Sequence, residues 1–228
     1  MTAIAVTDWR IDELRGAVAC KWAGALAMLT EHVSTHALER WAASLPQLVG
    51  AFAFPLFVAS FAALAGGDSE RWERTAHRLG FLAMLAQATG YLVGREGQLN
   101  VLATFAFGAL LAAGVKDRRW WLAAVACGLG AWCEFNIAGV GAIAAALLIV
   151  NDPRGGSLRW LALLVSAAML PAWNAGVPPV VVWMACAFAP VLLVLPIDMP
   201  DRRGAFAIGY VAQWPLLRLI RDARDIFG

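Results

Sequence analysis

The sequence predicts an all-α membrane protein, a polytopic transmembrane bundle of about eight to ten helices with its N-terminus in the cytoplasm. The first observation is composition: 61% of the 228 residues are hydrophobic and 15% are charged. Soluble domains average about 45–50% apolar and 25% charged residues. The second is that apolar runs alternate with short polar joints, which leave no room for a separate soluble domain. The third is an uneven distribution of basic residues among these joints.

The apolar runs give the predicted helices in order. Several are shorter than the roughly 20 residues that a full span requires, so the helix count is predicted only to within one. No internal repeat is visible, which counts against a transporter built from inverted repeats. The runs cover residues 17–36, 47–66, 78–94, 99–115, 120–133, 137–150, 160–174, 177–196 and 205–217.

Residues 1–16 are predicted to be a cytoplasmic segment and not a cleavable signal peptide, because they contain three acids and precede no small-residue cleavage site. If the N-terminus is cytoplasmic, the outer joints carry only Arg40 and Arg95. This bias follows the positive-inside rule. The inner side then holds Arg10, Arg15, Lys21, Arg71, Arg74, Arg78, Lys116, Arg118, Arg119, Arg154, Arg159, Arg202 and Arg203.

The region 120–150 allows two interpretations, a hairpin of two short helices or one helix too long for the bilayer. We expect the hairpin, turning at Glu134-Phe135-Asn136. Lipid cannot satisfy the polar groups of such a turn, so it should be buried in protein.

Residues 218–228 are predicted to form an amphipathic interfacial helix after a transmembrane domain at 17–217. Their apolar residues follow a helical stripe, and Arg218–Asp222 and Arg221–Asp225 stand at i,i+4 on the other face. The basic face favours the cytoplasm, whereas nine spans would put this helix outside. The side of the C-terminus is therefore left open.

The first apolar run carries Lys21, Glu31 and His32, and ionisable groups at membrane depth mark functional sites by default. Lys21 and His32 are eleven residues apart, roughly 20° from the same helix face and about 16 Å apart along the axis. They can hold two ends of one long ligand. Lys21 can also simply extend to the cytoplasmic rim.

Other polar residues at depth have structural as well as functional interpretations. Gln87, Asn100 and Thr104 suit hydrogen bonds between helices. His32 and His36 stand at i,i+4, a metal-ligand spacing, but the third ligand would have to come from Glu134 or elsewhere, and no metal site is predicted. The four cysteines have no CxxC spacing, and the net charge of +2 gives no reason to expect a nucleic-acid partner.

A cluster of basic residues is predicted at the cytoplasmic helix ends. It either sets the topology or forms a mouth for a phosphorylated ligand. Coenzyme A fits such a mouth, with its phosphates at the rim and its thioester inside. A neutral imidazole at His32 would make a good general base; Glu31 projects about 100° away from it, and Glu134 is a possible partner. The cluster consists of Arg71, Arg74, Arg78, Lys116, Arg118 and Arg119.

Six sequence blocks resemble the TraX family, the pilin acetylases of bacterial conjugation systems, which includes the TrbP proteins. They are KWAGALAMLTEH, VGAFAFPLFVASF, RTAHRLGFLAMLAQ, LNVLATFAFG, EFNIAGVGAI and YVAQWPLLRLI, in that order. The family's Asp-His is Glu31-His32 here, and its Asp-Tyr-Gly block is similar to Glu134-Phe135-Asn136. Gly50-Ala51 stands where the family has Gly-Arg, so that arginine is missing.

The family is also similar to the membrane-bound acyltransferase superfamily, whose first helix carries a basic residue, ten intervening residues and a histidine. The resemblance implies catalysis by His32 with Glu31 and Glu134. It implies acetyl-CoA as acyl donor and a membrane-embedded pilin subunit as acceptor, with surrounding lipid, in the bacterial inner membrane.

The alternatives are a non-catalytic protein assisting pilin assembly and a small proton-coupled transporter; the oligomeric state is open. The expected donor-binding residues are Lys21, Arg74, Arg78, Gln87 and Asn100.

Overall fold

The computed structural model describes residues 16–36, 48–91, 97–151, 179–195, 197, 199 and 205–227. These residues form eight α-helices and no strand, so the predicted all-α class is confirmed for this part of the chain. Residues 1–15, the run at 160–174 and the side chain of His36 lie outside the described residues. The helices are α1 (Ala17–His36), α2 (Ala53–Ala65), α3 (Ser69–Gly90), α4 (Val101–Lys116), α5 (Trp120–Gly130), α6 (Asn136–Val150), α7 (Pro179–Val194) and α8 (Ala205–Phe227).

Local chemistry explains where several helices begin. Proline has no N–H to donate to the carbonyl four residues earlier, and Pro55 accordingly follows a break at residues 51–52, after which α2 starts. Asp68 caps α3 by accepting a hydrogen bond from the Glu70 amide at 3.2 Å. Asn100 caps α4 by accepting from the amides of Leu102 and Ala103. Such caps satisfy the orphan amides of a first turn.

The predicted hairpin at 120–150 is confirmed, with α5 and α6 joined by residues 131–135. Residues before α4 hold the turn in place. The Leu99 amide donates to the Trp132 carbonyl at 2.8 Å, and the Glu134 amide donates to the Leu99 carbonyl at 2.7 Å. These bonds pair two of the turn's backbone groups with Leu99. The expected burial of the turn is only partial, because Cys133 is buried whereas Trp132 is 63% exposed.

Helix α4 lies at the centre of the bundle and packs against α3, α5 and α6. Small residues allow this close approach: Ala109, Ala112 and Ala113 are fully buried, and a Cβ added at Gly108 would lie 2.6 Å from the Cβ of Ile143. Small residues at helix contacts are typical of bundles in membranes.

Helix α8 runs without interruption from Ala205 to Phe227 and contains Pro215. The boundary predicted between residues 217 and 218 therefore falls inside one helix. The change from apolar to amphipathic sequence at this point is therefore not a helix end. Pro215 has no N–H to donate to the Val211 carbonyl, which accepts from the Thr89 hydroxyl at 3.5 Å instead. One of the two predicted i,i+4 pairs, Arg218–Asp222, is present, with Arg218 Nε 2.8 Å from Asp222 Oδ2.

The outer surface of the bundle is apolar. Leu26, Met84 and Trp121 are 65%, 66% and 67% exposed, and such surfaces mark protein or membrane contacts. Among the described helices one stretch, Leu48–Ala65, is long and apolar enough to cross a bilayer, and 72% of it is buried inside the protein. The number of membrane passes and their orientation stay predictions.

Candidate active site

Two neighbouring cavities lie inside the bundle. The smaller, here called the histidine cavity, encloses about 40 Å³ between α1, α8, the start of α2 and the α5–α6 turn. The larger, here called the basic cleft, encloses about 650 Å³ between α1, α2, α3 and the start of α4. Phe57 and Val101 line both cavities and form the wall between them.

The histidine cavity brings together the three residues that the sequence predicted to be catalytic. Glu31 and His32 reach it from α1, and Glu134 reaches it from the α5–α6 turn. The fold thus places an imidazole and two carboxyl groups around one small space. The other residues lining it are Met28, Gly50, Ala53, Phe54, Phe57, Val101, Phe135 and Tyr210.

The His32 ring is buried and held by α8. Its Nδ1 lies 3.2 Å from Oε1 of Gln213, and the rings of Trp214 and Tyr210 lie 5.0 and 6.3 Å from it between centroids. With the Gln213 oxygen facing the ring, Nδ1 carries the proton and donates the hydrogen bond, because an amide oxygen only accepts. In the neutral imidazole, Nε2 is then the basic nitrogen.

The Glu31 side chain depends on a glycine. A Cβ added at Gly50 would overlap the Glu31 carboxyl group and would lie 2.6 Å from its carboxyl carbon. Residue 50 must therefore lack a side chain for Glu31 to line the histidine cavity. This contact gives a structural reason for the glycine of the Gly50-Ala51 pair.

The basic cleft contains four cationic side chains, Lys21 from α1 and Arg71, Arg74 and Arg78 from α3. Its remaining lining is mostly apolar, with Phe57 and Phe61 contributed by α2. A cavity of this size and mixed character suits an organic ligand with an anionic end. The predicted donor-binding residues Lys21, Arg74 and Arg78 thus share one cavity.

The three arginines of the cleft differ in their contacts. Arg71 donates from Nη2 to the Leu64 carbonyl at 3.1 Å, and Arg74 pairs with Glu70 one turn earlier. Within the described part of the chain, Arg78 makes no hydrogen bond or ion pair. An arginine without a protein partner is the one most available to an anionic ligand.

Gln87 and Asn100 line neither cavity and instead join α3 to α4. Asn100 Nδ2 donates to the Ala83 carbonyl at 2.7 Å, and Gln87 Oε1 accepts from the Asn100 amide at 3.2 Å. These bonds fit the structural interpretation, hydrogen bonding between helices. A direct contact of either residue with the acyl donor stays a prediction.

Other members of the predicted basic cluster stabilise the same end of the bundle. Lys116 donates to the Gly67 carbonyl and lies 4.8 Å from the Trp72 ring centroid. Arg119 forms ion pairs with Glu73 and Asp117. Neither side chain lines the basic cleft, so these contacts join α4 and its following loop to α3 and the loop before it.

Sequence reasoning did not assign roles to Tyr210, Gln213 and Trp214. All three lie in the block YVAQWP on α8, where Gln213 is a polar residue within an apolar run. Its contact with His32 spans 181 positions, a distance over which helical spacing carries no information.

A metal centre does not emerge from the described residues, among which no three His, Cys, Asp or Glu side chains gather.

A family model described as TraX protein matches residues 17–221. The family resemblance found in the sequence is therefore confirmed. The match indicates a conjugation-related, pilin-associated protein and, with the apolar helical fold, a membrane protein. No curated protein and no solved structure matches the chain.

Proposed function

Because this chain belongs to the TraX family, we propose that it is a multi-pass inner-membrane acyltransferase. It transfers the acetyl group of acetyl-CoA to the N-terminal amine of a conjugative pilin. The observation that carries this proposal is the pair of adjoining cavities, one basic and one containing His32, which share Phe57 and Val101 in their linings.

The basic cleft suits the donor. Its four cations can pair with the phosphates of coenzyme A, and its apolar wall can pack against the rest of the molecule. Lys21 and His32 are separated by about 16 Å along α1. A donor with its phosphates at Lys21 and Arg78 would direct its thioester towards the histidine cavity.

The transfer itself needs a base and a well-placed carbonyl group. The amine nitrogen attacks the thioester carbonyl carbon, a C–N bond forms, the C–S bond breaks and the thiolate leaves. His32 Nε2 takes the amine proton and can return it to the thiolate. A route in which His32 carries the acetyl group transiently uses the same atom. The carboxyl groups of Glu31 and Glu134 offset the charge that develops on the imidazole.

The charge pattern of the sequence supports the membrane orientation proposed here. The basic end of the bundle, with Lys21 and the arginines of α3, faces the cytoplasm, where acetyl-CoA is made. The N-terminus lies on the same side. The pilin arrives as a membrane-embedded helix and reaches the histidine cavity from within the bilayer.

Intact-mass measurement of the pilin tests this function. Pilin from cells with the wild-type protein should be heavier by one acetyl group than pilin from cells lacking it, and His32→Ala should abolish the difference. His77→Ala is the matched control, because His77 is exposed on α3 and lines neither cavity; it should leave the modification intact. An unchanged pilin mass with and without the protein overturns the proposal and favours a non-catalytic assembly role.

A further inference from the structure

The wall between the two cavities is made of two buried side chains. Phe57 and Val101 are 5% and 6% exposed, and each contributes to both linings. Anything that reaches from the basic cleft towards His32 therefore has to pass them. Phe57 is the larger and presents an aromatic ring at this point.

The position of the Phe57 ring is fixed by its neighbours. On one side lies α1, where a Cβ added at Gly24 would stand 3.0 Å from the ring's Cε1 atom. On another side the ring meets Phe105 edge to face, with 6.5 Å between centroids. A ring packed this tightly has little freedom to change rotamer, so Phe57 keeps its place on the cleft side of the histidine cavity while the thioester passes beside it.

We propose that Phe57 sets the length of the acyl group that this protein transfers, restricting it to acetyl; this inference rests on the acyltransferase function proposed above. The space beyond the wall is about 40 Å³, and by this measure a site for one water molecule needs about 10–15 Å³. A group the size of acetyl fits there beside His32. A longer acyl group needs more room than this space offers, and the Phe57 ring closes the space on the side of the basic cleft.

The expected preference for acetyl over longer acyl groups can be estimated from the way closed apolar pockets discriminate between ligands of different length. One extra methylene in a closed apolar pocket changes the rate by roughly 10–200-fold. Butyryl has two methylenes more than acetyl, so the wild-type protein should favour acetyl over butyryl by at least about tenfold. Removing the ring joins the histidine cavity to the basic cleft, and the preference should shrink.

The experiment uses the purified full chain in lipid nanodiscs with pilin and, separately, acetyl-, butyryl- and octanoyl-CoA. Intact mass gives the rate of each acyl transfer. Phe57→Ala should lower the acetyl-to-butyryl rate ratio by about tenfold or more. Phe61→Ala is the matched control, because Phe61 also packs against Phe105, at 5.2 Å, but lines only the basic cleft. The Phe61→Ala variant should keep the wild-type acetyl-to-butyryl rate ratio even if its overall rate of acyl transfer changes.

The possible outcomes separate the two proposals. A folded Phe57→Ala protein that keeps the wild-type ratio, or that transfers no acyl group at all, overturns the length-setting role while leaving wild-type acetyl transfer in place. A wild-type protein that transfers nothing from any of the three thioesters overturns the proposed function and this inference with it. If Phe57→Ala does not fold, Phe57→Leu replaces it and should lower the ratio in the same direction.

Discussion

At the scale of single residues, the contact between His32 and Gln213 determines which imidazole nitrogen is basic. Replacing Gln213 with Leu removes the oxygen that lies 3.2 Å from Nδ1 of this buried ring. Such a loss costs about 1–3 kcal/mol and weakens the hold of α8 on the orientation of the ring. General-base catalysis is worth about 10²–10⁴-fold, so we expect Gln213→Leu to slow acetyl transfer by about 10–100-fold. The measurement is the rate of pilin acetylation by purified protein.

A conservative variant distinguishes positioning from mere stability. Gln213→Glu restores an oxygen acceptor opposite Nδ1 and should recover most of the rate that Gln213→Leu loses. The unfolding temperature in detergent is measured for both variants. If Gln213→Leu retains the wild-type rate, the orienting role of Gln213 is wrong.

The sequence predicted part of this site for a clear reason. Lys21 and His32 share one helix, and helical geometry relates residues on one helix directly. Glu134 was predicted because a carboxyl group in an apolar run demands an explanation. The contacts of Gln213 with His32 and of Phe57 with Gly24 join separate helices, and their packing depends on side-chain shapes that spacing along one helix does not describe.

At the scale of elements, the junction of α3 and α4 depends on Asn100. Its side chain caps α4 and also donates to the Ala83 carbonyl of α3. Asn100→Ala should destabilise the protein by about 1–2 kcal/mol through loss of the cap, seen as a lower unfolding temperature in detergent. Because Asn100 lines neither cavity, the affinity for acetyl-CoA should change by less than about threefold, which is under 1 kcal/mol.

The control variant is Asn100→Asp, which keeps an oxygen that caps the helix while it loses the Nδ2 donor. It should recover the part of the stability that comes from the cap. A tenfold fall in acetyl-CoA affinity at an unchanged unfolding temperature would show instead that Asn100 contacts the ligand, as the sequence predicted. The two roles thus give opposite patterns of stability and binding.

Some of the helix boundaries could be predicted from the sequence, and others could not. The hairpin of α5 and α6 was predicted because a polar turn interrupts an apolar run. The continuity of α8 was not, because its surface polarity changes near residue 218 while its backbone stays helical through Pro215. The polarity of the side chains indicates whether a helix lies in lipid, protein or water. A change of polarity along the sequence therefore need not mark the end of the helix.

At the scale of the whole molecule, charge should determine which end of the bundle faces the cytoplasm. Basic residues stay on the cytoplasmic side of membrane proteins, and the start of α3 lies at the basic end of the bundle. Residues 97–100, next to the α5–α6 turn, are expected at the opposite end. The proposed function requires this orientation, because acetyl-CoA must reach the basic cleft from the cytoplasm.

Single cysteines at the two ends test the orientation in intact cells. Glu70 and Gln98 are both exposed, and each is replaced by Cys in a protein whose four native cysteines are changed to Ala. A membrane-impermeant maleimide applied from outside should label Gln98→Cys and leave Glu70→Cys unlabelled until the cells are opened. The cysteine-free parent is the control for background labelling. The reverse pattern would put the basic cleft on the outer side, away from acetyl-CoA, and so would contradict both the predicted topology and the direction of acetyl transfer.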